Sequence, residues 1–145
     1  MPKVVFDTNV LISGIVHAGI SAQLINAVLD GKLTLILSQP IILEFKRVIT
    51  RDKFKLSKTQ QSTLTSFVLG IGQQIRIKSK FKVVKEDPDD DFILRTAYDS
   101  KADYIVSGDE HLILLKEFKG IKIVTVRKML ELLKATSQTD EKEQI

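Results

Sequence analysis

Two rhythms of apolar residues alternate along the chain. Short unbroken runs at 3–6, 33–37, 104–106 and 122–126 suit strands covered on both faces of a sheet, and Ile75-Arg76-Ile77 alternates as an edge strand does. Between them apolar positions recur every three or four residues, which predicts helices over 10–16, 21–29, 41–49, 62–69, 92–98, 111–118 and 127–135. Ser21 and Ser38 stand where the second and third helices begin and read as their caps, Pro40 suits a first turn, and Asp30-Gly31 reads as a stop. Gly14 and Gly19 lack the Gly-Lys-Ser/Thr ending of a phosphate loop, so they read as a close-packing position and a turn. Strands that alternate with helices predict an α/β fold with a parallel sheet and right-handed crossovers. A single domain over 1–135 accommodates the whole pattern, and the polar segment 136–145 reads as a disordered tail.

Two of the strands end in an acid. Val4-Val5-Phe6 runs directly into Asp7, and Tyr104-Ile105-Val106 reaches Asp109 through Ser107-Gly108. In open parallel sheets ligands bind outside the carboxyl ends of the strands, so an acid there is either part of a site or a cap for the next helix. Asp87-Pro88-Asp89-Asp90-Asp91 adds four acids before a further helix, more than capping needs, and Glu44 lies among the apolar residues of the third helix. Carboxylates gathered at one sheet edge repel unless their pKa values rise or a divalent cation neutralises them.

Composition narrows what that cation and its substrate can be. The chain has no cysteine and two histidines, so disulfides and thiolate sites are excluded and oxygen ligation of Mg²⁺ or Mn²⁺ is favoured. Such a site activates water and stabilises charge on a phosphodiester. No apolar run approaches the roughly 18 residues of a membrane span, and Lys3 and Asp7 interrupt the start before a signal sequence can form, so a cytoplasmic protein without a membrane partner is expected. The net charge of +4 is unevenly spread. Eleven Lys or Arg against one acid occupy 46–85, and nine acids against two bases occupy 86–110. Bases that hold phosphate beside acids that recruit metal would produce that segregation.

The order Val-Phe-Asp7-Thr8-Asn9-Val, then Glu44, then Asp-Pro-Asp-Asp90-Asp with Ile93, Leu94 and Ala97, then Ile-Val-Ser107-Gly-Asp109 with Leu112, resembles a PIN domain. It is similar in particular to the stand-alone PIN proteins of the VapC-type toxins, over about residues 3–133. The resemblance implies a three-layer α/β/α fold with a five-stranded, mostly parallel sheet, and a metal-dependent ribonuclease. Carried over by position, it makes Asp7, Glu44, Asp90 and Asp109 the catalytic, metal-binding acids, with Asp91 the alternative third ligand one residue on. Thr8, Asn9 and Ser107 would orient ligands or waters, Ser107 standing where the family more often has Thr. Lys46, Arg47, Arg51 and Lys53 would hold RNA phosphates. Expected partners are RNA, an antitoxin protein and a second copy of the chain in a homodimer.

Two other classes compete. A haloacid-dehalogenase-type phosphatase also opens with an Asp after an apolar strand, but needs a second Asp where this chain has Asn9. A non-enzymatic receiver or RNA-binding module would be suggested by loss of one of the four acids, and all four are present.

Overall fold

A computed structural model describes the backbone of residues 1–83 and 89–143 and the side chains of 1–83 and 91–136. Among the described residues six strands form one sheet: β1 (Lys3–Phe6), β2 (Thr34–Leu37), β3 (Gly72–Gln74), β4 (Tyr104–Val106), β5 (Glu117–Phe118) and β6 (Ile121–Val124), in spatial order β3-β2-β1-β4-β6-β5. The first five in that order run parallel, and only the two-residue β5 is antiparallel, to β6. The expected mostly parallel α/β fold is therefore present, with one short strand beyond the five. Val4, Val5 and Phe6 of β1, Leu35, Ile36 and Leu37 of β2, and Ile105 and Val106 of β4 are all buried, so helices cover both faces of the sheet centre.

The helices are α1 (Thr8–Val16), α2 (Ile20–Leu29), α3 (Gln39–Val48), α4 (Lys58–Ile71), α5 (Asp89–Ser100), α6 (Glu110–Ile113) and α7 (Val126–Glu143). No single described helix is long and apolar enough to cross a membrane. α2 ends as Asp30-Gly31 predicts: Gly31 is left-handed, its N–H reaches Val28 O, and Lys32 N–H reaches Ala27 O, the double bond of a Schellman motif. Gly14 does allow close packing, because a Cβ there would lie 2.7 Å from Ile25 Cγ1 and 2.9 Å from Ser21 O.

Several boundaries differ from the sequence reading. α2 starts after Gly19 without a side-chain cap, so Ser21 is an interior residue. α4 begins earlier than residue 62, because Ser57 and Gln60 form a capping box. The edge strand is Gly72–Gln74 and not 75–77: a side chain at Gly72 would run into Leu37, and its absence lets the chain close onto β2 directly after α4. The expected helix over 111–118 shortens to α6, and β5 follows it. α7 continues past residue 135 into the segment read as a tail, since its buried anchor Met129 sets a helical phase that the Glu, Lys and Gln of that segment readily extend.

α5 fixes the geometry that matters for function. It leads into β4, so it ends at the amino edge of the strands and begins at their carboxyl edge. Buried Thr96 is level with Ser38 at the end of β2: the two hydroxyls are 2.7 Å apart. The two turns of α5 before Thr96 therefore project past the sheet edge where Asp7 lies.

Candidate active site at the carboxyl edge of the sheet

β1 is central, between β2 and β4, and its pairing runs one residue beyond the strand: Asp7 N–H donates to Val106 O at 3.0 Å. That bond fixes Asp7 at the junction of β1 and α1. The capping reading of this residue holds, and its second carboxylate oxygen is engaged as well. Asp7 Oδ1 accepts the Val10 N–H at 2.8 Å and caps α1, while Oδ2 accepts the Ser107 hydroxyl.

Ser107 is fully buried at the end of β4, where its own N–H bonds to Val124 O. Its oxygen accepts the Asp109 N–H at 2.9 Å. A relay thus runs from the Asp109 amide through the Ser107 hydroxyl to the Asp7 carboxylate, joining the two acids that end neighbouring strands. Asp109 also caps α6 by accepting the His111 N–H at 2.8 Å, and it is only half-buried.

Asp7 is 7% exposed. Burial pushes its carboxyl above the ordinary value; hydrogen bonds from Ser107, Val10 and Gly108 pull it back in part, and the negative charge of Asp109 pushes it up again. No salt bridge reaches it among the described residues. A buried carboxylate beside a second one, with oxygen donors only, is the setting a hard divalent cation relieves.

The remaining expected residues divide. Glu44 is half-buried on α3, which packs against both α1 and α5. Thr8 is buried and Asn9 exposed in the first turn of α1. Asp90 lies in the first turn of α5, but its side chain, like the rest of 84–90, lies outside the described residues. Asp91 is 4% exposed and accepts the Val83 N–H at 2.8 Å. Among the described residues no three acidic or histidine side chains stand close enough to hold a metal ion together, so the described part of the site is the pair Asp7 and Asp109. His17 lies apart from it, its ring 6.1 Å from that of Phe54. Lys46, Arg47, Arg51 and Lys53 are exposed around the last turn of α3 and the bend after it, at the end of that helix away from Ser38.

Sequence reading missed a stripe on α5. Asp91, Arg95 and Asp99 recur every fourth residue and together pin the segment 78–83. Asp99 accepts the Lys78 and Ser79 amides at 2.6 and 3.0 Å, Arg95 donates to Phe81 O at 2.9 and 2.7 Å, and Asp91 takes Val83. Burial raises the Asp99 carboxyl, but the bonds from Ser79 and Lys78 outweigh it and hold it below the ordinary value. The alternating charge at helical spacing was the available signal. The Ser38–Thr96 pair was also missed. Because Thr96 donates its proton to Phe92 O at 2.6 Å, Ser38 must be the donor to Thr96, and its side chain makes no capping bond to α3.

Known proteins agree with this architecture. An uncharacterised protein of Methanocaldococcus jannaschii is 33% identical over 127 residues, spanning 83% of this chain and 80% of that protein. A chain in the crystal structure of VapBC2 from Rickettsia felis bound to a DNA fragment from their promoter superposes with a TM-score of 0.60 at 15% identity, over 85% of this chain and 98% of that one. The PIN domain family profile matches residues 3–111, the stretch that holds β1, β4 and every acid considered above, and this chain belongs to the PIN domain family.

Proposed function

We propose that this PIN domain is a ribonuclease that depends on Mg²⁺ or Mn²⁺ and cuts RNA phosphodiester bonds at the carboxyl edge of β1 and β4. The observation that carries the reading is the buried Asp7 carboxylate, tied through Ser107 to Asp109 and destabilised in its charged form. Asp7, Asp109 and Asp90 would hold the ion, with Glu44 contributing from α3. Asp91 is the weaker candidate for the third acid, because its carboxylate already serves the Val83 amide. The bound ion supplies charge neutralisation and a polarised water. Ser107 holds its proton on Asp7 Oδ2, which keeps one lone-pair direction fixed and the carboxylate oriented. Thr8 and Asn9, in the first turn of α1, would position waters or ligands at the same edge.

Likeness in fold to a VapBC2 chain supports reading the protein as the toxin of a toxin-antitoxin pair, silenced by an antitoxin protein. A homodimeric, cytoplasmic protein is part of the same proposal. Lys46, Arg47, Arg51 and Lys53 would add outer contacts to the RNA backbone.

The test is cleavage of a mixed RNA pool with Mn²⁺. Wild type is expected to cut and EDTA to stop it. Asp7→Asn should lose about 10³-fold, the scale of removing one essential electrostatic group. Glu44→Gln and Asp90→Asn should also lose activity, whereas Asp91→Asn, which keeps an acceptor oxygen for Val83, should retain it. Equal cleavage by wild type and Asp7→Asn, or none by wild type with metal present, would end the enzyme reading.

A further inference from the structure

Between β3 and α5 the chain exposes its cations in register. Over 75–82 burial alternates residue by residue: Ile75, Ile77, Ser79 and Phe81 face the protein, and Arg76, Lys78, Lys80 and Lys82 face solvent. This is the period of extended chain, which sets successive cations about 7 Å apart, a step comparable to that between phosphates of an extended single strand. None of the four is in a salt bridge among the described residues. Lys78 lies within electrostatic reach of the Asp99 carboxylate.

The ladder is held rigid and aimed. Asp99, Arg95 and Asp91 bond to its backbone groups and the Ser79 hydroxyl, and all four cationic side chains are exposed. One residue past Lys82, Val83 docks on the first turns of α5, which project over the edge where Asp7 lies. Beside the ladder stands an aromatic platform. The Phe81 ring meets Tyr98 edge-on at 5.6 Å and Phe118 at 5.2 Å, and Lys119 Nζ sits 4.8 to 5.7 Å from all three centroids. Tyr98 is 43% exposed despite that packing.

We propose that Arg76, Lys78, Lys80 and Lys82, with the Tyr98 face and Lys119, form a track that binds the backbone and a stacked base of single-stranded RNA and leads it toward Asp7. Rigidly spaced cations next to an aromatic face are what sequence-tolerant single-strand binding requires. The choice of RNA as occupant rests on the ribonuclease reading above. An acidic protein is the rival occupant for the cations, but it gives the exposed aromatic face no role.

Binding of labelled oligouridine in EDTA, where nothing is cut, tests the track. The triple variant Arg76→Gln, Lys80→Gln, Lys82→Gln should bind about tenfold or more weakly, and the slope of log K against log salt should fall by about 2, three phosphates at roughly 0.7 each. Tyr98→Ala should lose about fivefold or more through stacking. Lys32→Gln, Arg127→Gln, Lys134→Gln removes equal charge elsewhere and should bind as wild type. All substitutions are of exposed side chains, and unchanged circular dichroism and Tm confirm that the backbone pins survive. The proposal is overturned if the triple variant keeps wild-type affinity and slope, or if Lys46→Gln, Arg47→Gln, Arg51→Gln, Lys53→Gln loses more. It is equally overturned if a duplex binds as tightly, or if polyglutamate competes with the same dependence on the ladder and none on Tyr98. Wild type that cuts RNA with Mn²⁺ while the ladder proves irrelevant leaves the nuclease standing and removes the track. Track-dependent binding without cutting does the reverse.

Discussion

Asp7 and Asp91 are both almost fully buried carboxylates near the same edge of the sheet, yet their surroundings treat them in opposite ways. Asp91 belongs to a stripe that bonds to backbone groups of one neighbouring segment, so its burial serves to hold that segment in place. Asp7 is buried next to another acid, and its hydrogen bonds do not offset the loss of water around its charge. Burial alone therefore says little about function. What separates a structural acid from a reactive one is whether the fold completes its electrostatics or leaves that to something bound from outside.

The contrast can be sharpened from the Asp7 side first. Ser107→Ala removes the hydroxyl that joins the two acids, and loss of a group that orients a ligand weakens metal affinity by about 10- to 100-fold. The Mn²⁺ concentration for half-maximal cleavage should rise by that factor, while saturating Mn²⁺ restores most of the rate. Ser107→Thr keeps the oxygen and should need little extra metal. If Ser107→Ala titrates like wild type, the relay is packing and nothing more.

On the Asp91 side the effect belongs to stability. Asp91→Ala leaves the Val83 amide without its acceptor, at a cost of about 1–3 kcal/mol, or roughly 2–4 °C of Tm for each kcal/mol in a chain of this size. Its folded fraction should still cut RNA. A variant that melts like wild type but is inactive would move Asp91 into the metal site and displace Asp90.

How far these roles were legible in the sequence depends on the range of the interaction that creates them. The central strands could be read directly, because three adjacent parallel strands buried on both faces leave continuous apolar runs. The convergence of Asp7 and Asp109 could be read too, since an acid after each of two such runs is a repeated local pattern. β3 could not, because Gly72 does more than end α4: its close approach to Leu37 on another strand is what lets the chain join the sheet there. Nor could the partners of Asp91, Arg95 and Asp99, which lie 8 to 21 residues away and meet the stripe only once the chain has crossed α5. Asp90 and Asp91 raise the same difficulty: adjacent acids on one helix turn are indistinguishable in sequence, because what tells them apart is a partner elsewhere in the chain.

The smallest expected effect is also the most direct test of the opposition between the two kinds of acid, because it has a sign. The folded-state pKa of Asp7 is raised above 3.8, so the folded protein binds a proton there more tightly than the unfolded chain does. Its contribution to stability is greatest below 3.8 and declines as pH rises through the folded value, remaining low above it. Asp99, whose pKa is lowered, works the other way: its contribution is present above 3.8 and is lost as pH falls toward its folded value. Comparing wild type with Asp7→Asn in EDTA cancels Asp99, which both proteins share. The urea midpoint of Asp7→Asn should therefore gain on wild type between pH 4 and pH 7. Added Mn²⁺ should reverse that gain, because only wild type keeps the charge that holds the ion. A difference that is flat with pH, or one of the opposite slope, would mean that the fold itself satisfies the Asp7 charge.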